Sequence, residues 1–280
     1  RSLTLNLKSD QATAIIRKLV ANTDVVIENF KAGTMTKLGL DYDALKKVKP
    51  DLIYCSVTGY GQQGPKAGEA AYDGAIQAAS GMMSQNGHPS TGPTRTGFMP
   101  VDMATSLNAA FAIAASLHRK AQTGEGQYID VAMLDTAIVV QAAQFSNYFN
   151  QGKKLGLMGN ASPTGQPTAN VFATKDGFIQ ITALSKNQVE KLFEAFGRIE
   201  DLKRPEFADP SSRAKNAALI NDYVTEQLQQ RTTLEWLLDL AKRGIPVAEI
   251  RDIPQVIADP QLAHREIFAS VASPNQPGKE

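Results

Sequence analysis

Apolar positions in the first 150 residues switch repeatedly between a two-residue and a helical period. Leu3–Leu7 alternates like a short strand. Ser9 stands at an N-cap position, and Ile15, Ile16, Leu19 and Val20 behind it form an apolar helical stripe. Asp24-Val-Val-Ile-Glu28 predicts a second strand that ends at Asn29-Phe30. Two short helical pieces follow, around Thr34–Leu38 and Tyr42–Lys49, and Leu52–Val57 predicts a third strand. Strand–helix–strand alternation of this kind calls for a parallel sheet covered by helices. Farther on, a helix is predicted from about Met103 to Ala121, with Leu107, Phe111, Ala114 and Leu117 on one face. Another runs from about Leu134 to Phe149, and between the two lie a turn, Thr123-Gly-Glu-Gly126, and a strand, Gln127–Val131.

The second half has a different rhythm. Residues 151–167 are polar and bear glycine and proline, as an interdomain linker does. Asn170–Ala173 and Gly177–Ala183 read as a hairpin around Lys175-Asp176-Gly177, because Asp-Gly is a hairpin turn signal. Helices are predicted at about Lys186–Phe196, Asn216–Gln229 and Leu234–Arg243, then a strand in Gly244–Ile250 and a helix start at Ile253–Ala258. The pattern implies an α/β protein with a large domain over 1–150, a linker over 151–167 and a smaller α+β domain over 168–280.

Composition narrows the picture. The chain has 280 residues, of which 42% are hydrophobic and 20% charged, as in a globular protein with a buried core. A net charge of +1 argues against nucleic acid or a membrane surface as partner. No apolar run approaches a membrane span, and the opening Arg1-Ser-Leu-Thr-Leu-Asn6 lacks the apolar core of a signal peptide. The single cysteine, Cys55, excludes an internal disulfide and fits a cytoplasmic location. A strand-like opening and a Pro/Gly tail suggest an internal segment of something longer.

Candidate chemistry begins with Gly59, Gly61 and Gly64, which match G-x-G-x-x-G after a strand. A dinucleotide turn also needs a helix starting at the third glycine and an acidic residue about 20 positions on. Pro65 and Lys66-Ala-Gly-Glu69 supply neither, so the glycines predict a flexible loop at the carboxyl edge of the sheet. Cys55, in mid-strand, reads as a structural thiol. His88, His118 and His264 share no metal-ligand spacing, and no metal site is expected. His118 falls in a last helical turn, and His88, in Gly87-His-Pro89, is either a solvated loop residue or a general base. Asp102 opens the long helix after Gly97-Phe-Met-Pro-Val101. It is either an ordinary N-cap or a carboxylate held against helix amides and used as a covalent nucleophile.

Several segments carry a further signal: Leu5-Asn-Leu-Lys8, Asp24–Phe30, Thr58-Gly-Tyr-Gly-Gln-Gln-Gly-Pro65, Tyr72-Asp73-Gly-Ala-Ile-Gln77, Asp102, Thr123–Gln127, Asp130-Val-Ala-Met133 and Asn170–Gly177. In order and spacing this set resembles the family III coenzyme A transferases, a superfamily that also holds the alpha-methylacyl-CoA racemases. The resemblance implies a Rossmann-like parallel sheet as large domain, a smaller α+β domain, and two subunits interlocked as a homodimer. It implies transfer of coenzyme A from an acyl-CoA donor to a small carboxylic acid acceptor, without metal, through an intermediate on Asp102. Coenzyme A would be contacted by Lys8, Asn29, Phe30, Lys37, Tyr72 and Met133; Lys37 stands where members often carry arginine. Ser162-Pro-Thr-Gly165-Gln166 matches the mobile glycine loop of the family, with Gly165 as pivot and Gln166 as hydrogen-bonding amide, although it is glycine-poor. The alternative activity is an acyl-CoA racemase or epimerase, but Tyr72 stands where a racemase has its proton-shuttling histidine. A non-enzymatic acyl-CoA-binding relative is the other alternative, and a carboxylate at position 102 counts against it. The family's first strand–helix unit and its C-terminal return have no counterpart here.

Overall fold

A computed structural model describes residues 2–271 and divides the chain into two compact units, Arg1–Gly159 and Asn160–Glu280. The division falls inside the predicted linker.

The first unit holds helix α1 (Asp10–Val20), strand β1 (Val25–Glu28), short helices α2 (Thr34–Lys37) and α3 (Tyr42–Lys46), strand β2 (Ile53–Thr58) and helix α4 (Asp73–Ala79). A small ribbon of β3 (Gly87–His88) and β4 (Gly92–Pro93) leads to the long helix α5 (Pro100–Thr123). Strand β5 (Gln127–Ala132) and helices α6 (Met133–Val140) and α7 (Ala142–Gln151) complete it. Three strands form a parallel sheet in the order β1-β2-β5, with Val25 opposite Ile53 and Ile53 opposite Gln127.

Strand β2 is central, and Ile53, Tyr54 and Cys55 are buried, which is why its sequence is a continuous apolar run. Its side chains alternate between two packing layers. Tyr54 joins Val20, Leu40, Leu45 and Leu52 on one face, and Cys55 joins Ala109 of α5 and Val131 of β5 on the other.

Four sequence expectations need correction here. Leu3–Leu7 forms no strand: the Asn6 carbonyl accepts from Ser9 N (3.0 Å) and its side chain accepts from Lys8 N (3.2 Å). That local turn feeds α1, whose Ser9 cap is present as expected. On α1 the buried residues are Ala12 and Val20, while Ile15 and Leu19 are exposed. On α5 the buried row is Val101, Thr105, Ala109 and Ser116, whereas Leu107 and Phe111 are 71% and 75% exposed. The helix predicted over 134–149 is two helices, broken at Gln141. Its buried amide donates to the Ser80 carbonyl (3.2 Å) and to the Ala137 carbonyl (2.9 Å).

In the second unit, β6 (Ala169–Ala173), β7 (Phe178–Thr182) and β8 (Val247–Glu249) form an antiparallel sheet. The β6–β7 hairpin closes at Lys175-Asp176-Gly177, where Thr174 N donates to the Gly177 carbonyl at 2.9 Å. Helices α8 (Lys186–Ala195), α9 (Pro210–Lys215), α10 (Ala217–Leu228) and α11 (Thr233–Lys242) pack around it, followed by α12 (Ile253–Ile257) and α13 (Pro260–His264). The core is large and aromatic: Phe172, Phe193, Phe207 and Trp236 are buried with Ile179, Ile181 and Leu192. Capping boxes at Ser185/Gln188 and Thr232/Glu235 start α8 and α11.

Candidate active site

The carboxyl ends of β1 and β2 and the first turn of α5 converge on one depression in the first unit. After β1 the chain turns through Asn29-Phe30. The turn is held because the buried Glu28 carboxylate accepts from Phe30 N (2.8 Å) and from the Ser56 hydroxyl of β2. After β2 comes the glycine-bearing loop. Thr58 Oγ1 accepts from Gly61 N at 2.9 Å, Asp130 accepts from Gln62 N at 3.0 Å, and Gln62 Nε2 donates to Ser56 Oγ at 2.5 Å. The loop is therefore pinned to the strand ends at residues 61–62, where sequence alone predicts freedom. A side chain at Gly59 is impossible without movement, since its Cβ would lie 2.1 Å from that of Ala71. No helix starts at Gly64; the next one begins at Asp73, so no dinucleotide turn forms.

These elements enclose a cavity of about 520 Å³ lined by Asn29, Phe30, Tyr72, Asp102 and Met133. Lys31 adds a cation and Tyr60 a phenol to the wall. Lys31 is missed by sequence reasoning; its only signal is adjacency to Asn29-Phe30. Lys8 and Lys37 are not among the lining residues. Lys8 is exposed in the turn ahead of α1, not at a strand end, because the strand expected there is absent; Lys37 closes α2.

Asp102 is the third residue of α5 and is half-buried. The N-cap reading and the helix-amide contact of the other reading both need correction. The N-cap is Met99, which makes no side-chain hydrogen bond, and Pro100 is the first helical residue. The helix amides are not bonded to the Asp102 carboxylate either. Those of Val101 and Asp102 donate to the carboxylate of Asp73, at 2.8 and 3.1 Å. Burial, and secondly the negative charge of Asp73, push the Asp102 carboxyl above its ordinary pKa. The result is a carboxylate with reduced stabilisation of its charged form, lining a cavity to which Gly59, Gly61 and Gly68 also contribute. Such a group can act as a nucleophile or a base.

The other candidates lie elsewhere. Cys55 is fully buried in β2, and desolvation pushes its thiol up to about 11, which suits a packing role. His88 sits in the β3–β4 ribbon against Gly159, and His118 lies 3.1 Å from Gln122 on α5; neither lines the cavity. Among the described residues no three His, Cys, Asp or Glu side chains are grouped to hold a metal ion. No helix among them is long and apolar enough to cross a membrane.

Gly165 and Gln166 belong to the second unit. Gly165 has φ +73°, a conformation that favours glycine, and its N–H donates to the Ser162 carbonyl at 2.9 Å. Gln166 Nε2 donates to the Pro210 carbonyl at 3.2 Å, so the amide expected to serve the reaction is engaged within its own unit.

The signature of CoA-transferase family III matches residues 1–279. The chain is 37% identical over 267 residues to a succinate–glutarate CoA-transferase of Agrobacterium fabrum, covering 95% of this chain and 66% of that protein. It is 32% identical over 280 residues to human succinyl-CoA:glutarate CoA-transferase, covering 98% and 62%. Among solved structures, a CAIB/BAIF family protein from Brucella suis superposes with a TM-score of 0.85 at 39% identity, over 95% of this chain and 70% of that one. The chain thus spans about two thirds of the length of the relatives it matches. Sequence and overall fold agree, and the chain belongs to CoA-transferase family III.

Proposed function

We propose that the protein transfers coenzyme A from an acyl-CoA donor to a small carboxylic acid, with Asp102 as the covalent nucleophile. The observation that carries this reading is the placement of a half-buried, poorly stabilised carboxylate in one cavity with Asn29, Phe30, Tyr72 and Met133. An Asp102 oxygen attacks the donor thioester carbonyl, and the C–S bond breaks to give a mixed anhydride and CoA thiolate. The thiolate attacks the aspartyl carbonyl, expels the donor acid as carboxylate and leaves an aspartyl thioester. The acceptor carboxylate attacks that thioester, and the released thiolate then takes the acceptor acyl group and frees Asp102. Each step exchanges one activated acyl bond for another, so the thioester energy is conserved.

Succinate, glutarate and mesaconate appear in the names of the relatives, which supports a short dicarboxylate as acceptor. An acyl-CoA racemase is the weaker reading. The relatives named above are CoA-transferases, and Tyr72 stands where a racemase has its proton-shuttling histidine. The exposed apolar row of α5 supports an interlocked homodimer.

The protein incubated with succinyl-CoA and then hydroxylamine should carry the label on Asp102 in a peptide digest. Asp102→Ala should fold and lose at least about a thousandfold in transfer to glutarate. A variant with near-normal turnover, or a label on another residue, would sink the assignment.

A further inference from the structure

No side chain within α5 or its preceding loop caps the helix that bears Asp102. The first amides of a helix have no intrahelical partners, and here Pro100 contributes none. Those of Val101 and Asp102 both donate to Oδ2 of Asp73, which reaches them from the first turn of α4 and is only 5% exposed. The second Asp73 oxygen accepts from Gln77 Nε2 at 2.5 Å. Gln77, itself fully buried, also donates to Thr96 Oγ1 at 3.0 Å and accepts from Thr96 N at 3.2 Å. Thr96 Oγ1 in turn donates to the Phe98 carbonyl at 2.9 Å. A relay that runs from buried Asp73 and Gln77 out to half-buried Thr96 thus fixes both the helix start and the loop that enters it.

Two physical effects act on Asp102. A helix start favours a nearby anion, and Asp73 is the anion that takes up that favour. The same negative charge, on a group bonded to the Asp102 amide, disfavours a second charge on the Asp102 side chain. We propose that Asp73 is a positioning residue for Asp102: it fixes the turn that presents this carboxylate to the cavity and withholds the helix amides from it. The proposal rests on the reading of Asp102 as nucleophile. The other ionisable groups lining the cavity with Asp102 are Lys31, Tyr60, Glu69 and Tyr72, so the shift in Asp102 titration must be read against them.

Asp73→Asn alone would set two NH₂ groups against each other, because Thr96 fixes the Gln77 amide. Combining it with Gln77→Glu restores the pairing: the new amide oxygen accepts from α5, its NH₂ donates to the new carboxylate, and the Thr96 hydroxyl turns from the Phe98 carbonyl to donate to that carboxylate. The charge is then one hydrogen bond farther from Asp102. In the double variant, carboxyl ¹³C NMR should find Asp102 titrating at lower pH than in wild type, the signal being assigned through Asp102→Asn. The kcat should fall about tenfold with KM for acyl-CoA within about twofold of wild type. An unmoved Asp102 titration with the fold intact overturns the proposal. A lowered titration, together with transfer that survives Asp102→Ala, keeps Asp73 in its role and removes the nucleophile reading instead. Wild type supplies a readout that needs no variant. The Val101 and Asp102 amide hydrogens should exchange slowly, as groups bonded to a buried carboxylate; exchange at the rate of an open helix end overturns the proposal equally.

Discussion

Helices α5 and α11 both carry large apolar side chains at helical spacing, and both leave some of them exposed, but they treat the largest in opposite ways. On α11, Trp236 and Leu240 are buried in the core of the second unit. On α5, Val101, Thr105, Ala109 and Ser116 face inward, while Met103, Leu107 and Phe111 are 61%, 71% and 75% exposed. The difference is one of approach. Small side chains let α5 lie close over β2 and β5, where Ala109 meets Cys55 and Val131. An apolar stripe therefore marks a face that water disfavours, but it does not say that the chain itself covers that face.

The largest test of this contrast is a pair of truncations. Phe193 is fully buried, stacks on Tyr223 with ring centroids 5.7 Å apart and meets Phe207 edge-on at 5.6 Å. Phe193→Ala should cost about 3–5 kcal/mol in the unfolding of the second unit, by lost burial and a cavity. Phe111→Ala, measured by urea unfolding of dilute protein, should stay within about 0.5 kcal/mol of wild type. Equal losses from the two would mean that α5 buries Phe111 in solution.

A second test sharpens that outcome. If the α5 row meets another subunit, Leu107→Glu with Phe111→Glu should shift sedimentation toward monomer at micromolar concentration. Stability should then stop depending on protein concentration. Unchanged sedimentation in the double variant would remove this face from the proposed dimer.

The same contrast explains what the sequence discloses. Strands β1, β2 and β5 and the β6–β7 hairpin are legible because each is a short apolar run between turn signals, and runs of that kind depend on nearest neighbours. The inward row of α5 is not legible, because Thr105, Ala109 and Ser116 have almost no hydrophobic signature; their value is smallness at a close contact. The break at Gln141 depends on Ser80, 61 residues away. The cap on α5 comes from Asp73, 28 residues before Val101, whereas a local rule offers only Asp102 as a candidate cap. Asn29, Phe30, Tyr72 and Met133 entered as candidates through resemblance; no periodicity singles them out, because strand ends and helix starts are brought together only by the sheet. Lys31, on the same cavity wall, lacked even that signal.

The smallest expected effect concerns the far end of α5, where polar ties hold the helix. Lys120 reaches Asp24 at 2.9 Å and Asp51 at 2.8 Å, and Lys49 lies 3.1 Å from Asp51. These contacts join the last turns of α5 to residues just ahead of β1 and β2. Hydrogen bonds from Lys120, and then Lys49, lower the Asp51 carboxyl to about 2. The unfolded chain has an ordinary carboxyl near pKa 3.9. Because the folded value is the lower one, the unfolded chain binds the proton first as pH falls. The contribution of Asp51 is therefore complete above about pH 3.9 and fades as pH drops through about 2. Asp51→Asn should lower the urea midpoint slightly at pH 6, and the gap from wild type should close toward pH 2. The Asp51 side chain is 34% exposed, so 1 M salt should shrink the gap at pH 6 as well. A gap that persists unchanged at pH 2 would show that Asp51 acts through shape or uncharged hydrogen bonds. The polar end of α5 would then differ from its small-residue middle less than the charges suggest.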